Sequence, residues 1–250
     1  MIKGFIFNGI SSWDMGIEAE LVSMPLSAEP KNVYIDIPTA DGELDLSKVN
    51  SANRILYKPR MIEFLCHANF DPAKDDFESR AKYLASILCA DGDRDLRIAG
   101  SSTFIYKGRA SNLYNITPES DTSFSFPLVF RCQPFRWAGS SATTAGSNGQ
   151  VTVTNGGLST DFRMEIEGTL SSAITLTSSS YPGKELKIPS LGSGKLVIDT
   201  DEARVYFAGS DITNRCSGDF FLLAPGGNTI KASGVNGSTR ISLTYTEKYL

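Results

Sequence analysis

From Val151 to the C-terminus, apolar and polar residues alternate in short runs that turn signals break about every ten residues. Few architectures tolerate that pattern. Phe162-Arg163-Met164-Glu165-Ile166-Glu167 puts Phe, Met and Ile on one face and charges on the other, as a half-buried strand requires. Similar runs occur at Val151 to Thr154, Ala173 to Thr177, Leu186 to Ile188, Leu196 to Asp199, Arg204 to Phe207, Asp219 to Leu223, Thr229 to Ala232 and Arg240 to Thr246. Asn155-Gly156, Gly226-Gly227 and Asn236-Gly237 read as turns between them. The expectation is an antiparallel β-sandwich.

A different texture precedes it. Ala138 to Gln150 carries no charge and no large apolar side chain, so it reads as a linker. Only 7 of the 22 glycines lie before it, which argues for two domains, 1–137 and 151–250, joined by 138–150. In the first, strand-like runs at Phe5 to Phe7, Asn32 to Ile37, Ile62 to Cys66 and Phe124 to Arg131 surround one helix. That helix is expected to start at Asp71-Pro72 and to stop near Asp91-Gly92. Its Phe77, Ala81, Leu84 and Leu88 form one apolar stripe suited to packing on a sheet. Next comes a hairpin, Asp95 to Ala99 and Phe104 to Lys107, turning at Gly100-Ser101-Ser102. A two-stranded ribbon that short cannot cover both of its apolar rows. Leu96, Ile98, Phe104 and Tyr106 are therefore candidates for contact with a neighbouring subunit, or for packing on their own helix.

Composition excludes several functions. There are 24 Lys+Arg against 28 Asp+Glu and no basic block, so no tight nucleic-acid site is expected. The longest uncharged run, Trp137 to Thr160, is rich in Gly, Ser, Thr, Ala and Asn, too polar for hydrocarbon, and no membrane insertion is expected. The first residues lack a secretory pattern, which suggests synthesis in a cytoplasm. Cys66, Cys89, Cys132 and Cys216 show no paired spacing, and His67 is the single histidine. No metal, cofactor or disulfide framework is expected.

Catalytic candidates fail one by one. His67 could serve a nucleophile only alone, at the end of a strand run beside Cys66. Asp91-Gly92-Asp93-Arg94-Asp95 opens like a calcium loop, but its sixth position is Leu96 and its twelfth is Ser102. Gly192-Ser193-Gly194-Lys195 is followed by Leu196, unlike a phosphate loop, and reads as a turn between strands. Glu165 and Glu167 share a strand face at a spacing that a glycosidase pair could use, although an exposed strand face explains them as well. No enzyme is expected.

The chain resembles the distal tail protein family of long, non-contractile-tailed phages and related prophages. Gly4-Phe5-Ile6-Phe7-Asn8-Gly9 with Met15-Gly16-Ile17 resembles the family's opening, and Asp41-Gly42-Glu43-Leu44-Asp45 its Asp-Gly turn. Phe130-Arg131-Cys132-Gln133-Pro134-Phe135 resembles the end of its first domain. Val197-Ile198-Asp199 with Val205-Tyr206 is similar to a central hairpin, and Leu223-Ala224-Pro225-Gly226-Gly227-Asn228-Thr229-Ile230 to a Leu-x-Pro-Gly-x-Asn-x-Ile segment. One departure is Thr39-Ala40, where many members carry Gly-Arg.

The resemblance implies a mainly β chain: an N-terminal β-sandwich with one α-helix and an extended hairpin, and a C-terminal galectin-like antiparallel β-sandwich. It further implies a homo-hexameric ring at the tail tip of a virion, between the tail tube protein and the tail-tip hub protein, in some members carrying a receptor-binding protein. The competing reading is a carbohydrate-binding module or adhesin, with Tyr181, Tyr206 and Phe220 as its candidate surface.

Overall fold

The computed structural model describes residues 3–38, 41–48, 55–89, 91–100, 103–112, 115–236 and 239–250. The chain divides into two compact units between Gly139 and Ser140.

The first unit contains strands β1 (Phe5–Phe7), β2 (Ile10–Ser11), β3 (Ile17–Ser23), β4 (Tyr34–Asp36), β5 (Glu43–Asp45) and β6 (Arg60–Asn69). Helix α1 (Phe77–Leu88) follows, then β7 (Arg94–Ile98), β8 (Phe104–Asn112), β9 (Thr117–Ser120) and β10 (Ser123–Ala138). One continuous antiparallel sheet runs β2-β1-β7-β8-β10-β6-β3, with β9 also on β10. Strict alternation in β6, with Arg60, Ile62, Phe64, Cys66 and Ala68 buried, gives this sheet one inner face. Its ends meet: Lys3 bridges Glu20, and Gly4 N–H donates to Ala19 O at 2.7 Å. Sandwich and closure are thus made from a single sheet. Gly4 sits at the seam with φ 89°, where an added Cβ would stand 3.2 Å from Ser12 Oγ and from Trp13 Nε1, so only glycine closes it without strain. Inside, Phe5 lies 5.1 Å from Phe64 and 5.3 Å from Phe130 between ring centroids.

The helix begins later than Asp71. Asp71 instead holds a separate turn, accepting from Ala73 N–H at 3.1 Å, and Asp76 caps the helix by accepting from Ser79 N–H at 2.8 Å. Leu84 and Leu88 are buried while Phe77 packs on Phe124 at 5.2 Å. Arg80 fastens the helix to the β2–β3 turn by donating to Met15 O at 2.5 Å.

The β7–β8 hairpin forms, but it does not project. Leu96 pairs with Tyr106 on one side and Phe7 on the other, Ile98 pairs with Phe5, and β8 pairs with β10. Leu96, Ile98 and Tyr106 are consequently buried in the unit's own core, with Phe104 partly buried against it. Of the two places expected for them, a neighbouring subunit's surface or packing within their own chain, the structure has the second, because they lie on the inner face of the sheet. Ser101 and Ser102 of the expected turn lie outside the described residues, as do Gly237 of another and Thr39-Ala40.

The second unit holds β11 (Ala142–Gly146), β12 (Gln150–Asn155), β13 (Phe162–Thr169), β14 (Ile174–Ser178), β15 (Glu185–Ile188) and β16 (Ser193–Asp199). β17 (Arg204–Phe207), β18 (Ser210–Asp211), β19 (Ser217–Gly218), β20 (Gly226–Ser233) and β21 (Arg240–Tyr245) complete it. Two antiparallel sheets, β11-β21-β13-β16-β17-β18 and β12-β20-β14-β15-β19, make the sandwich. Both sheets contribute to one core, Met164, Ile166, Leu196 and Leu243 from one, Leu176, Leu186 and Ile230 from the other.

The expected linker is largely absorbed here. Ala142 to Gly146 pair in register with Tyr245 to Ile241, because backbone pairing needs no large side chain. Asp219 to Leu223 is not a regular strand; its ladder is reduced to the Thr160–Leu223 bridge. Gly226-Gly227 opens β20, and Ser193 to Lys195 open β16.

Candidate interaction surface

Strands β4 and β5 form a sheet of their own, separate from every other strand among the described residues. Tyr34 faces Asp45, Ile35 faces Leu44 and Asp36 faces Glu43. All six residues are exposed. At the base, Val33 N–H donates to the buried Ser47 Oγ at 3.0 Å and Leu46 N–H to Val33 O at 2.8 Å. A ribbon continues behind: Lys31 N–H donates to Leu56 O and Lys58 N–H to Glu29 O, both at 2.7 Å. Lys58 Nζ also meets Glu29 at 2.6 Å.

This hairpin has two unlike faces. Cross-strand partners point the same way and alternate residues point oppositely. Tyr34, Asp36, Glu43 and Asp45 therefore share one side, and Val33, Ile35, Ile37 and Leu44 the other. Val33, Ile35, Ile37 and Leu44 are each 45–49% exposed. Residues 33–47 include Asp36, Asp41, Glu43 and Asp45 and no cation. Asp45 is held below the ordinary carboxylate range by hydrogen bonds from Ser47. An isolated two-stranded ribbon is marginal in water, so a wholly apolar face on one calls for a covering surface.

Further apolar exposure in this unit lies on the outside of β3 and β6 and the segment after β3, besides scattered residues such as Trp13 and Tyr83. Val22 (59%), Met61 (44%) and Leu65 (39%) stand there, with Leu26 at 92%. Beside them, Arg131 of β10 pairs with Met61 on one side and Arg109 of β8 on the other. Both arginines are exposed. Met24 and Pro25 lead into this segment, which the buried Arg60 anchors by donating to Pro25 O at 3.2 Å and Pro134 O at 2.8 Å.

The catalytic candidates are not assembled. Cys66 is buried on the inner face of β6 and His67 lies on the outer, with Nδ1 3.1 Å from Glu119. Asp93 accepts from Gln133 Nε2 at 3.0 Å. Glu165 and Glu167 line a cleft of about 480 Å³ with Lys195, Arg240 and Ser242. Lys195 Nζ lies 2.8 Å from Glu165 and Arg163 Nε 3.5 Å, and these partners, Lys195 first, hold the Glu165 carboxyl below its usual range. A glycosidase acid needs the opposite shift.

The three candidate aromatics differ in their surroundings. Tyr181 and Phe220 lie partly buried against the core. Tyr206 is on the outside of β17, its hydroxyl donating to Glu202 at 2.7 Å.

The exposed β4–β5 hairpin is the element that sequence reasoning did not choose. Its signal was available in the strand-like run Asn32 to Ile37 followed by Asp41-Gly42.

Residues 142–249 match the family model described as the siphovirus-type tail component, C-terminal domain. Over 100% of both chains, the structure is similar to the SPP1 Dit protein, described as a paradigm of the hub adsorption apparatus in phages infecting Gram-positive bacteria, with a TM-score of 0.77 and 19% identity. It is also similar to a chain of the phage P2 baseplate in its activated conformation, with a TM-score of 0.55 and 8% identity, covering 99% of this chain and 98% of that one. No curated protein matches the sequence.

Proposed function

From a chain whose residues 142–249 match the siphovirus-type tail component model, and whose fold is similar to that of the SPP1 Dit protein over its full length, we propose a structural subunit of a phage tail tip. Six copies form a ring between the tail tube protein and the tail-tip hub protein, able to carry a receptor-binding protein. The work is mechanical: the ring holds partners in place and performs no catalysis.

The observation that carries this reading is the β4–β5 hairpin, apolar on one face, acidic on the other and paired with no other strand among the described residues. A ring requires a head-to-tail contact between two different patches, and a ribbon extending from each subunit provides one half of it. The likeness over the full length to the SPP1 Dit protein and to a chain of a phage baseplate supports the same reading. Gold-labelled antibody against the purified chain tests location: label at the distal end of the tail is expected, and label along the tube or on the head contradicts it.

A further inference from the structure

We propose that the cleft on the outer face of β13, β16 and β21 binds an uncharged saccharide, with Glu167 and Arg240 gripping two neighbouring hydroxyls. This goes beyond the tail-tip reading and does not rest on it.

The cleft, of about 480 Å³, is lined by two carboxylates, Glu165 and Glu167, and two cations, Lys195 and Arg240. It therefore offers a ligand no net charge, which favours an uncharged polar molecule over a phosphate or an amine. Glu165 and Lys195 satisfy each other at 2.8 Å. Glu167 and Arg240 do not. They stand opposite each other across β13 and β21, and Glu167 also stands opposite Lys195 across β16. Yet among the described residues neither Glu167 nor Arg240 has an ion-pair partner.

A carboxylate presents two acceptor positions side by side, and a guanidinium presents parallel donors. A hydroxyl both donates and accepts, so neighbouring hydroxyls of a sugar ring can donate to Glu167 and accept from Arg240. The Ser242 hydroxyl and the Asn148 amide line the same cleft and add groups of both kinds. Strand register fixes the separation of Glu167 and Arg240, as a site on rigid elements requires.

The same face leads to an aromatic ring. Ser242, Glu165, Val197 and Tyr206 follow one another across β21, β13, β16 and β17. Two strand spacings, about 10 Å, separate Glu165 from Tyr206, and Tyr206 is half-buried. A second sugar ring beside the first lies toward it, which makes disaccharides the suitable probes.

Saturation-transfer difference NMR of the full-length chain tests this with lactose, maltose, cellobiose and diacetylchitobiose, and with inorganic phosphate as the charged competitor. At least one disaccharide should receive saturation and keep it in excess phosphate. Glu167→Gln and Arg240→Met should each weaken that binding at least about tenfold, while Lys187→Met on the other sheet leaves it unchanged. All three sites are exposed, and circular dichroism confirms that each variant folds. Absence of saturation for all four sugars, loss of the signal to phosphate, or equal binding by the natural chain and the Glu167 and Arg240 variants overturns the inference. None of these outcomes moves the antibody label, so the tail-tip reading stands or falls separately.

Discussion

Asn228 grips Ala224 from both ends of its side-chain amide: Ala224 N–H donates to Oδ1 at 2.9 Å and Nδ2 donates to Ala224 O at 2.7 Å. Nδ2 also reaches Gly226 O at 2.9 Å, and Asn155 Nδ2 reaches Leu223 O and Ala224 O from the other side. Both asparagines are 1% exposed. The Leu223 to Ile230 segment, the most distinctive match in the sequence, is thus a closed loop built round a buried amide. Asn228→Leu keeps the volume and removes the closure. It should destabilise the second unit by about 2–4 kcal/mol, since a buried donor and acceptor lose their partner. Calorimetry of the 140–250 fragment checks it; an unchanged melt would mean the loop holds itself.

That fragment carries its own prediction. Strand β11 covers the edge of β21 with five paired residues, so 140–250 should unfold cooperatively and at higher temperature than 151–250. Equal melting of the two would show that β11 adds nothing and that 138–150 behaves as the linker its composition suggests.

Burial pushes the Cys66 and Cys132 thiols up to about 12, whereas Cys89 is exposed. A disulfide reagent at neutral pH should therefore titrate Cys89 quickly in the native chain and leave Cys66 and Cys132 silent until denaturant is added. Rapid modification of either would place an opening in the first sheet.

Glu165 gives a pH test with a definite sign. Its carboxyl is depressed by Lys195 and Arg163 relative to the ordinary 4.5, so the stabilisation it provides is present above that value and is lost as pH falls through its folded midpoint. Carbon-detected NMR should find that midpoint below 4.5, and Lys195→Met should move it upward. A midpoint above 4.5 would reopen the hydrolytic reading of the cleft.

The alternation that marks strands was legible wherever one face is buried, as in Phe162 to Glu167 and Arg204 to Phe207, because a half-buried strand writes its two environments into successive residues. Which hairpin projects was not legible. Leu96 with Tyr106 and Ile35 with Leu44 are equally apolar cross-strand pairs; they differ only in that β1 and β10 flank the first pair, and such long-range pairing leaves no local trace. The helix start was misread for a related reason. Asp71-Pro72 and Asp76 are both competent caps, and the chain uses the first for a turn. The candidate surface itself depends on what a folded unit leaves uncovered, which follows from tertiary structure alone.

The central claim, a ring of identical subunits, is tested most directly by native mass spectrometry of the purified full-length chain across a range of concentrations. Given a chain of 27.1 kDa, the expected result is a dominant species of six times that mass, with dissociation on removal of the β4–β5 hairpin. A single 27.1 kDa species at every concentration would contradict it.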